Sequence, residues 1–162
     1  MPQIIKKYDI YSVFDCPCGD VNWICHIFDD IPKYIGGDIV QPLIEKNLQL
    51  YRNKNFIVFD LRYDVLVDYD LLFIRDCLFH LSYSDIMSVC KQIKNSNVKY
   101  ILTTNFLNRK NYDIQTGGWR PLCLQEPPFN FPKPILVVNE DEIGEYSDKH
   151  MGLWRKEQIP YY

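Results

Sequence analysis

Residues 14–23 read FDCPCGDVNW, and this stretch joins an apolar run to a turn and then to the start of a predicted helix. The apolar run ends in Asp15, the turn contains Pro17 and Gly19, and the helical pattern begins at Asn22. Proline fixes φ and glycine tolerates positive φ, so both favour tight turns. Three interpretations are open: a cradle for a phosphate or nucleoside, a metal knuckle built on the cysteines, and an ordinary connection between a strand and a helix.

The size and composition of the chain predict one globular domain over residues 1–162. Hydrophobic residues make up 47% of the chain, aromatic residues 15% and charged residues 24%, which is far from the composition of disordered chains. The net charge of -3 gives no support for a nucleic-acid partner, because non-specific binding to nucleic acids needs a surface rich in Lys and Arg. A small or neutral substrate fits this charge better.

The sequence contains neither a predicted membrane span nor a secretory signal. Apolar runs fall well short of the roughly 18 residues that cross a bilayer. Residues 1–12 lack the apolar core of a signal peptide. We therefore expect a cytoplasmic protein whose six cysteines are reduced thiols.

Apolar runs rich in β-branched and aromatic residues predict the strands of an α/β fold. Strands are predicted at 11–16, 33–39, 55–61, 70–76, 99–106 and 134–140, with an antiparallel edge strand at 152–159. Helices are predicted at 22–31, 41–51 and 82–96. Hydrophobicity is nearly continuous in the strands, so both faces of the sheet should be covered. The pattern predicts a doubly wound, mostly parallel sheet of about seven strands, the last one antiparallel.

Residues 107–133 interrupt the alternation of strands and helices. The segment contains four prolines and two glycines and shows no helical period. An irregular connection of this length in a compact domain is usually functional. Because it follows a central strand, we expect a loop that faces the substrate and is anchored by its aromatic residues.

Three aspartates, Asp15, Asp38 and Asp60, lie at or near the ends of consecutive predicted strands. Their spacing of 23 and then 22 residues is the length of one strand–helix unit, so the carboxylates should lie along one edge of the sheet. Ligands of doubly wound folds bind at that edge. A carboxylate after the second strand can accept hydrogen bonds from both hydroxyls of a ribose. One aspartate alone could simply end a strand or cap a helix, but three at this spacing favour a ligand site.

The stretches FDCPCGDVNW, IGGDIVQPLIEKN, VFDL and LLFIRDCLFHLSYSD resemble, in this order, the motifs of class I S-adenosylmethionine-dependent methyltransferases. With GGWRPL, PPFNFP and GLWR, the resemblance covers residues 11 to about 157. It implies a Rossmann-like fold, S-adenosyl-L-methionine as cofactor, a ribose on Asp38 and an adenine amine near Asp60. The cofactor-binding residues that it implies are Asp15, Cys16, Pro17, Gly19, Asn22, Trp23, Asp38, Ile39, Asp60, Leu61 and Arg75.

The first loop departs from the family pattern of three alternating glycines. Pro17 and Val21 occupy the outer positions, and only Gly19 remains. A branched side chain at Val21 is expected to stand where the backbone approaches the cofactor, and so to weaken binding. The chain also begins close to the first strand, so the helices that cover the pocket in this family are not expected. Residues 107–133 or another subunit, including a second copy of the chain, should cover it instead.

Methyl transfer to a hydroxyl needs orientation, exclusion of water and a base. His80 follows the fourth predicted strand and is the candidate base, and Asp76 could orient it or bind the acceptor. The alternative for His80 is a packing role with a hydrogen bond to a backbone carbonyl. Asp113, Trp119 and Arg120 are candidates for holding the acceptor, with the alternative that Trp119 and Arg120, in GGWR, simply pack the loop. Aromatic and carboxylate side chains suit a sugar, so we expect O-methylation of a glycan or of another hydroxylated small molecule.

The remaining interpretations differ in the kind of site that they require. A metal site built on Cys16, Cys18, Cys25 and His26 is disfavoured, because these side chains would project in divergent directions. His150 lies in a polar stretch and is expected to be exposed. A nicotinamide-dependent oxidoreductase would need a Gly-x-Gly-x-x-Gly loop, which is absent. A non-catalytic methyltransferase-like subunit is favoured by the lost glycines and opposed by the retained acids and His80.

Overall fold

The computed structural model describes residues 1–66, 68–140 and 143–162, which form one mixed sheet with helices on both faces. The strands are β1 (Ser12–Asp15), β2 (Lys33–Asp38), β3 (Asn55–Val58), β4 (Leu71–Ile74), β5 (Tyr100–Phe106), β6 (Leu136–Asn139) and β7 (Lys149–Arg155). The α-helices are α1 (Pro2–Lys7), α2 (Gln41–Leu50) and α3 (Tyr83–Asn95). Short 3₁₀ helices span Ile24–Asp30, Leu78–His80, Gly144–Tyr146 and Lys156–Gln158.

The strand order is β3-β2-β1-β4-β5-β7-β6. Strands β1 to β5 pair in parallel, whereas β7 is antiparallel to both β5 and β6. This confirms the predicted doubly wound sheet of seven strands with the last one antiparallel. The carboxyl ends of the parallel strands therefore meet the amino end of β7 at one edge of the sheet.

Two apolar clusters cover the two faces of the sheet, as continuous strand hydrophobicity predicts. Phe14 and Leu72 belong to the cluster that packs under α3 and residues 122–131. Their neighbours Val13 and Leu71 belong to the opposite cluster, under α1, α2 and the first 3₁₀ helix. Side chains alternate between faces along a strand, and each large one that is buried contributes about 1.5–3 kcal/mol.

Helix α3 begins where the sequence predicts it to begin. Ser82 is its N-cap, and Oγ of Ser82 accepts a hydrogen bond of 3.2 Å from the backbone N–H of Asp85. Its buried residues are Ile86, Val89, Cys90 and Ile93, which form one apolar stripe. This cap places the start of α3 directly after His80.

Three elements show the main differences between the prediction and the structure. Residues Ile24–Asp30 form a 3₁₀ helix and not an α-helix, since Trp23 provides no side-chain cap and acidic residues end the segment. Helix α1 precedes β1, where no helix was expected. Strand β7 begins at Lys149 and ends at Arg155, earlier than the predicted 152–159. None of the helices formed by the described residues is long and apolar enough to cross a membrane.

Residues 107–133, all of which the structure describes, form no helix or strand, and side-chain amides supply hydrogen bonds that regular structure would otherwise provide. Nδ2 of Asn111 donates to the carbonyl oxygens of Cys123 at 2.8 Å, Glu126 at 3.2 Å and Pro127 at 2.9 Å. Oδ1 of Asn111 accepts from the N–H of Cys123 at 3.0 Å. The segment is therefore fastened to itself despite its prolines and glycines.

Candidate active site

A cavity of about 310 Å³ lies at the carboxyl ends of the first three strands. It is lined by Cys16, Pro17, Asp38, Ile39, Val40, Phe59, Asp60, Leu61, Arg62, Cys77, Leu81 and Thr116. Six of these, Cys16, Pro17, Asp38, Ile39, Asp60 and Leu61, are residues that the sequence predicts at the cofactor. The Ile39 side chain is 62% exposed, so an apolar surface is available to a flat ring at the rim.

Asp38, at the end of β2, connects the first loop to the cavity. Its Oδ2 accepts a hydrogen bond of 3.1 Å from the N–H of Gly19, and its Oδ1 accepts one of 3.0 Å from the N–H of Val40. A carboxylate has about four acceptor positions, so Asp38 retains capacity for two further donors. Gly19 has a φ of 56°, a conformation that glycine adopts without strain.

Asp60 lies two residues beyond β3 and is paired with Arg62. Nη2 of Arg62 is 2.7 Å from Oδ2 of Asp60, and Nε is 2.9 Å from Oδ1. These hydrogen bonds hold the pKa of Asp60 below its usual range. Nη1 of Arg62 contacts Oδ2 of Asp85 at 3.2 Å, and that oxygen also accepts from Thr116. These contacts hold Thr116, in the 107–133 loop, in place as part of the cavity wall.

Asp15, predicted at the cofactor, does not line this cavity. Alternation along β1 places Phe14 on the α3 face and turns Asp15 towards the other face, where the hydroxyl of Tyr34 donates to Oδ2 at 2.8 Å. Asp15 is buried, and its burial raises its pKa to about 7. The hydrogen bond from Tyr34 and the charge of Arg75 oppose that rise, whereas the charge of Asp38 adds to it.

Val21 has a φ of 53° and is only 1% exposed. Its side chain belongs to the apolar cluster that includes Ile24 and Phe28, so it points into the core. The expected obstruction of the cofactor by this side chain is therefore wrong. The cost of Val21 lies in the backbone, because a branched residue is strained in the left-handed region. The neighbouring Asn22 is exposed, and its N–H donates to Oδ1 of Asp20 at 3.1 Å, so Asn22 does not line the cavity either.

Trp23 and Arg75 lie at a second cavity, of about 300 Å³, on the α1 face of the sheet. The guanidinium carbon of Arg75 is 5.0 Å from the centre of the Trp23 ring, and Nε of Arg75 donates to Glu140 at 2.9 Å. Met1 and Ile4 also line this cavity. Of the predicted cofactor residues, six therefore line the first cavity and Trp23 and Arg75 line the second, on the other side of the strand ends.

Asp76 follows β4 and is held at the strand edge by several contacts. Its φ is 51°, and its N–H donates to Oγ1 of Thr104 at 2.9 Å. Oδ1 of Asp76 is 3.0 Å from Nζ of Lys149, and Oδ2 is 3.8 Å from Nε of Arg75. The Asp76 side chain is 39% exposed, so its carboxylate is accessible at the edge where ligands bind.

His80 ends a short 3₁₀ helix and is oriented by the 107–133 loop. Its Nδ1 lies 2.7 Å from the carbonyl oxygen of Gly118. A carbonyl can only accept, so Nδ1 carries the hydrogen, and in the neutral ring Nε2 holds the free electron pair. The backbone contact is the one expected of a packing histidine, and the same contact fixes the direction of the electron pair on Nε2.

The structure does not bring together the three residues predicted to hold the acceptor. Oδ1 of Asp113 accepts from the N–H of Tyr83 at 2.7 Å, at the start of α3. Arg120 is fully buried and donates to the carbonyl oxygen of Phe79 at 3.0 Å, so it cannot contact an acceptor at the surface. Burial lowers the pKa of the Arg120 guanidinium. Trp119 is 42% exposed and lines a cavity.

His150 is buried, whereas the sequence predicted that it would be exposed. Its Nε2 lies 3.2 Å from Nδ2 of Asn105, on the neighbouring strand, and its Nδ1 lies 3.1 Å from the carbonyl oxygen of Asp148. All six cysteines are free thiols. Within residues 1–66, 68–140 and 143–162, the structure shows no group of three or more His, Cys, Asp or Glu side chains that could hold a metal ion.

Several residues at the sheet edge were not predicted from the sequence. Thr116 reaches the first cavity, and Lys149 and Tyr146 line a third cavity with Trp119. The position of Lys149 could have been predicted, because an antiparallel last strand brings its amino end to the edge where the parallel strands end. Thr116 and Tyr146 lie in irregular segments, where spacing gives no direction for a side chain.

Comparisons with solved structures show that this fold is the one found in class I S-adenosylmethionine-dependent methyltransferases. The N-methyltransferase NodS from Bradyrhizobium japonicum matches with a TM-score of 0.67 and 9% identity over 93% of this chain and 88% of that chain. A TehB-like S-adenosylmethionine-dependent methyltransferase from Corynebacterium glutamicum matches with a TM-score of 0.64 and 12% identity over 94% of this chain and 84% of that chain. DesVI from Streptomyces venezuelae matches with a TM-score of 0.54 and 7% identity over 63% of this chain.

The match spans 46% of DesVI, and identities this low establish the fold alone. The sequence matches no protein-family model. It has no significant match among curated proteins. Any assignment of an activity therefore rests on the cavities and the residues that line them.

Proposed function

We propose that this protein is an S-adenosylmethionine-dependent methyltransferase that methylates a hydroxyl group of a small molecule. The observation that carries the proposal is the position of Asp38. Its carboxylate lines a cavity of about 310 Å³ and already binds the N–H of Gly19, so loop and cavity form one unit. This is the arrangement that a nucleoside with a free ribose diol would require.

The residues around the first cavity fit the adenosine part of the cofactor. Asp38 would accept from the ribose hydroxyls, Asp60 from an exocyclic amine, and Ile39 would pack on the ring. Arg75, on the other side of the strand ends, carries the positive charge that suits a carboxylate. The side chain of Val21 points into the core, which removes the main reason for expecting weak binding and, with it, one argument for a non-catalytic subunit.

When bound, the cofactor supplies the methyl group that is transferred. The chain's own residues would orient the acceptor, exclude water and accept a proton. Nε2 of His80 has the free electron pair that a base needs, and Gly118 fixes the ring. Asp76, held by Lys149, would position the acceptor. Thr116 and its contact with Asp85 keep the 107–133 loop against the cavity, which limits access of water.

The positions of the three predicted acceptor residues restrict the class of acceptor. A sugar acceptor was predicted from Asp113, Trp119 and Arg120 acting together, and these residues do not form one surface. The hypothesis of a sugar acceptor therefore loses its support. The hypothesis of methylation at a hydroxyl group is still supported by His80 and Asp76. A nicotinamide dinucleotide is disfavoured, because Pro17 stands where a pyrophosphate needs close backbone approach.

Isothermal titration calorimetry with S-adenosylmethionine, S-adenosylhomocysteine and NAD⁺ tests this proposal. We expect the first two ligands to bind and NAD⁺ not to bind. Asp38→Ala should lower the affinity for S-adenosylhomocysteine at least tenfold, because each charge-assisted hydrogen bond contributes about 1.5–3 kcal/mol. Asp38→Asn keeps one oxygen for the backbone and separates the loss of ribose contacts from the loss of loop structure.

The matched control is Asp29→Asn, which removes an exposed carboxylate outside the cavity and should leave the affinity unchanged. Circular dichroism establishes that each variant is folded. An Asp38→Ala protein that is folded and binds S-adenosylhomocysteine as tightly as the parent would refute the cofactor assignment. Binding of NAD⁺ in preference to the other two ligands would also refute it.

A further inference from the structure

A third cavity, of about 350 Å³, is walled almost entirely by aromatic rings. It is lined by Phe79, Phe106, Trp119, Tyr146 and Lys149. The rings stand close to perpendicular to one another: Phe106 and Trp119 at 88°, Phe106 and Tyr146 at 85°, and Trp119 and Tyr146 at 70°. Such a box presents both ring faces and ring edges to an occupant, which is the geometry that a flat ring prefers.

The cavity lies at the edge of the sheet where the proposed chemistry takes place. Phe106 is the last residue of β5, and Lys149, the first of β7, is its partner across the antiparallel ladder. Phe79 lies three residues beyond Asp76 and contacts the ring of His80, with ring centres 4.5 Å apart and the rings tilted by 50°. The aromatic walls therefore adjoin both residues assigned to the acceptor hydroxyl.

At the polar end of the cavity, the ion pairs among the described residues balance one another in charge. Nζ of Lys149 is 3.0 Å from Oδ1 of Asp76 and 3.5 Å from Oε2 of Glu140. Asp76 and Glu140 also contact Arg75, so two cations face two carboxylates. The guanidinium of Arg109 lies 6.0 Å from the ring of Tyr146 and is neutralised by Asp148. An occupant without net charge, apolar over most of its surface and with few hydroxyls, matches these surroundings.

We propose that this cavity binds the methyl acceptor and that the acceptor is a hydroxylated aromatic ring, a phenol. This inference deepens the proposed function and rests on it. A molecule with many hydroxyls would leave most of them without partners against four aromatic walls. A phenol places its ring among those walls and its single hydroxyl towards Lys149, Asp76 and His80.

The chemistry of the phenol fits the charged groups at the end of the cavity. A phenol hydroxyl has a pKa near 10, far below that of a sugar hydroxyl, and a neighbouring ammonium favours the phenolate. The hydroxyl proton passes to Nε2 of His80, and the oxygen forms a bond to the methyl carbon. The bond between that carbon and the sulfonium sulfur breaks, and its electron pair remains on sulfur. The products are the aryl methyl ether, S-adenosylhomocysteine and protonated His80.

Calorimetry with three probes tests the acceptor class: 2-naphthol, decahydro-2-naphthol and methyl glucopyranoside, each with and without S-adenosylhomocysteine. We expect 2-naphthol to bind at least tenfold more tightly than its saturated counterpart, which has the same skeleton and hydroxyl without the aromatic rings. Methyl glucopyranoside should not bind measurably. With S-adenosylmethionine present, 2-naphthol should be converted to its methyl ether, which mass spectrometry detects.

Variants of the walls test whether binding occurs in this cavity. Trp119→Ala should weaken 2-naphthol binding at least tenfold and leave S-adenosylhomocysteine affinity within twofold, while Trp119→Phe should restore most of it. Tyr146→Ala removes another aromatic wall, contributed by a separate segment, and gives an independent test if Trp119→Ala is unfolded. Tyr112→Ala, an exposed aromatic of the same loop that does not line the cavity, is the control that should change nothing.

The outcomes separate this inference from the proposed function. Binding of S-adenosylhomocysteine without binding of 2-naphthol, or faster methylation of the glucoside, would overturn the phenol assignment and leave the methyltransferase standing. Binding of 2-naphthol without any binding of S-adenosylhomocysteine would refute both the proposed function and the role of the cavity as an acceptor site. Unchanged 2-naphthol affinity in folded Trp119→Ala and Tyr146→Ala proteins would place the binding elsewhere and overturn the inference.

Discussion

Asp15 should make the stability of this protein depend on pH in a direction opposite to that of an ordinary carboxylate. Its side chain is 2% exposed, and burial raises its pKa to about 7 from the ordinary value of 3.8. Below about pH 4 the carboxyl is protonated in both the folded and the unfolded chain, and ionisation costs nothing. As pH rises from 4 to 7, the unfolded chain loses this proton first, so the free energy of unfolding falls.

The size of the effect follows from the difference between the two pKa values. Each pH unit in this interval contributes about 1.4 kcal/mol, so the ionised Asp15 costs the folded state on the order of 4 kcal/mol at pH 8. Asp15→Asn removes the ionisable group and retains an oxygen for the Tyr34 hydroxyl. The variant should gain stability over the parent as pH rises, by about 2–4 kcal/mol between pH 4.5 and 8.

Urea denaturation of parent and Asp15→Asn at pH 4.5, 6 and 8 measures this difference. Tyr34→Phe is the matched comparison, because it removes the hydroxyl that stabilises the carboxylate, raises the pKa of Asp15 further and should extend the loss of stability to higher pH. In the double variant this additional pH dependence should disappear. A difference between parent and Asp15→Asn that is constant across the three pH values would refute the assignment of a raised pKa to Asp15.

Three further predictions concern Val21, Asn111 and His80. Val21→Ala should destabilise the protein by about 1 kcal/mol more than Val21→Gly, because only glycine tolerates the φ of 53° freely. This is the reverse of the usual order, in which glycine is the more destabilising substitution. Equal free energies of unfolding for the two variants would contradict the prediction. Asn111→Ala should lower stability by about 2–4 kcal/mol and speed amide exchange in residues 107–133 without ligand; unchanged exchange would show that Asn111 does not fasten the segment. His80→Ala should lower turnover by about 10²-fold or more with S-adenosylhomocysteine affinity unchanged; losing affinity and stability together with rate would instead indicate a packing role.

The sheet could be predicted from the sequence because each strand is a continuous apolar run between turn signals. The spacing of Asp15, Asp38 and Asp60 also predicted correctly that all three lie near the ends of consecutive strands. Spacing does not determine the face to which a side chain points, and Asp15 shows the consequence. It ends β1 as expected, yet alternation within the strand turns it to Tyr34 and away from the cavity that Asp38 and Asp60 line.

Residues in irregular segments were the hardest to assign, and Val21 and Arg120 show why. A side chain at positive φ points in a direction that no strand or helix pattern supplies, so Val21 was expected at the cofactor and lies in the core. Arg120 was a candidate for holding the acceptor or for packing the loop, and its guanidinium is buried over the ring of Tyr83 at 5.5 Å. In both cases the final position depends on tertiary packing that sequence periodicity does not encode.

The last strand gives a physical reason why an acceptor cavity can form beside β5. The prediction began this strand at Gly152, after the polar residues Lys149 and His150. The structure begins it at Lys149 and pairs that residue with Phe106, the end of β5. Antiparallel pairing is what carries an amino-terminal lysine to an edge otherwise made of the carboxyl ends of parallel strands. A parallel last strand would place its carboxyl end there, and Asp76 would then lack the ammonium that holds it at 3.0 Å.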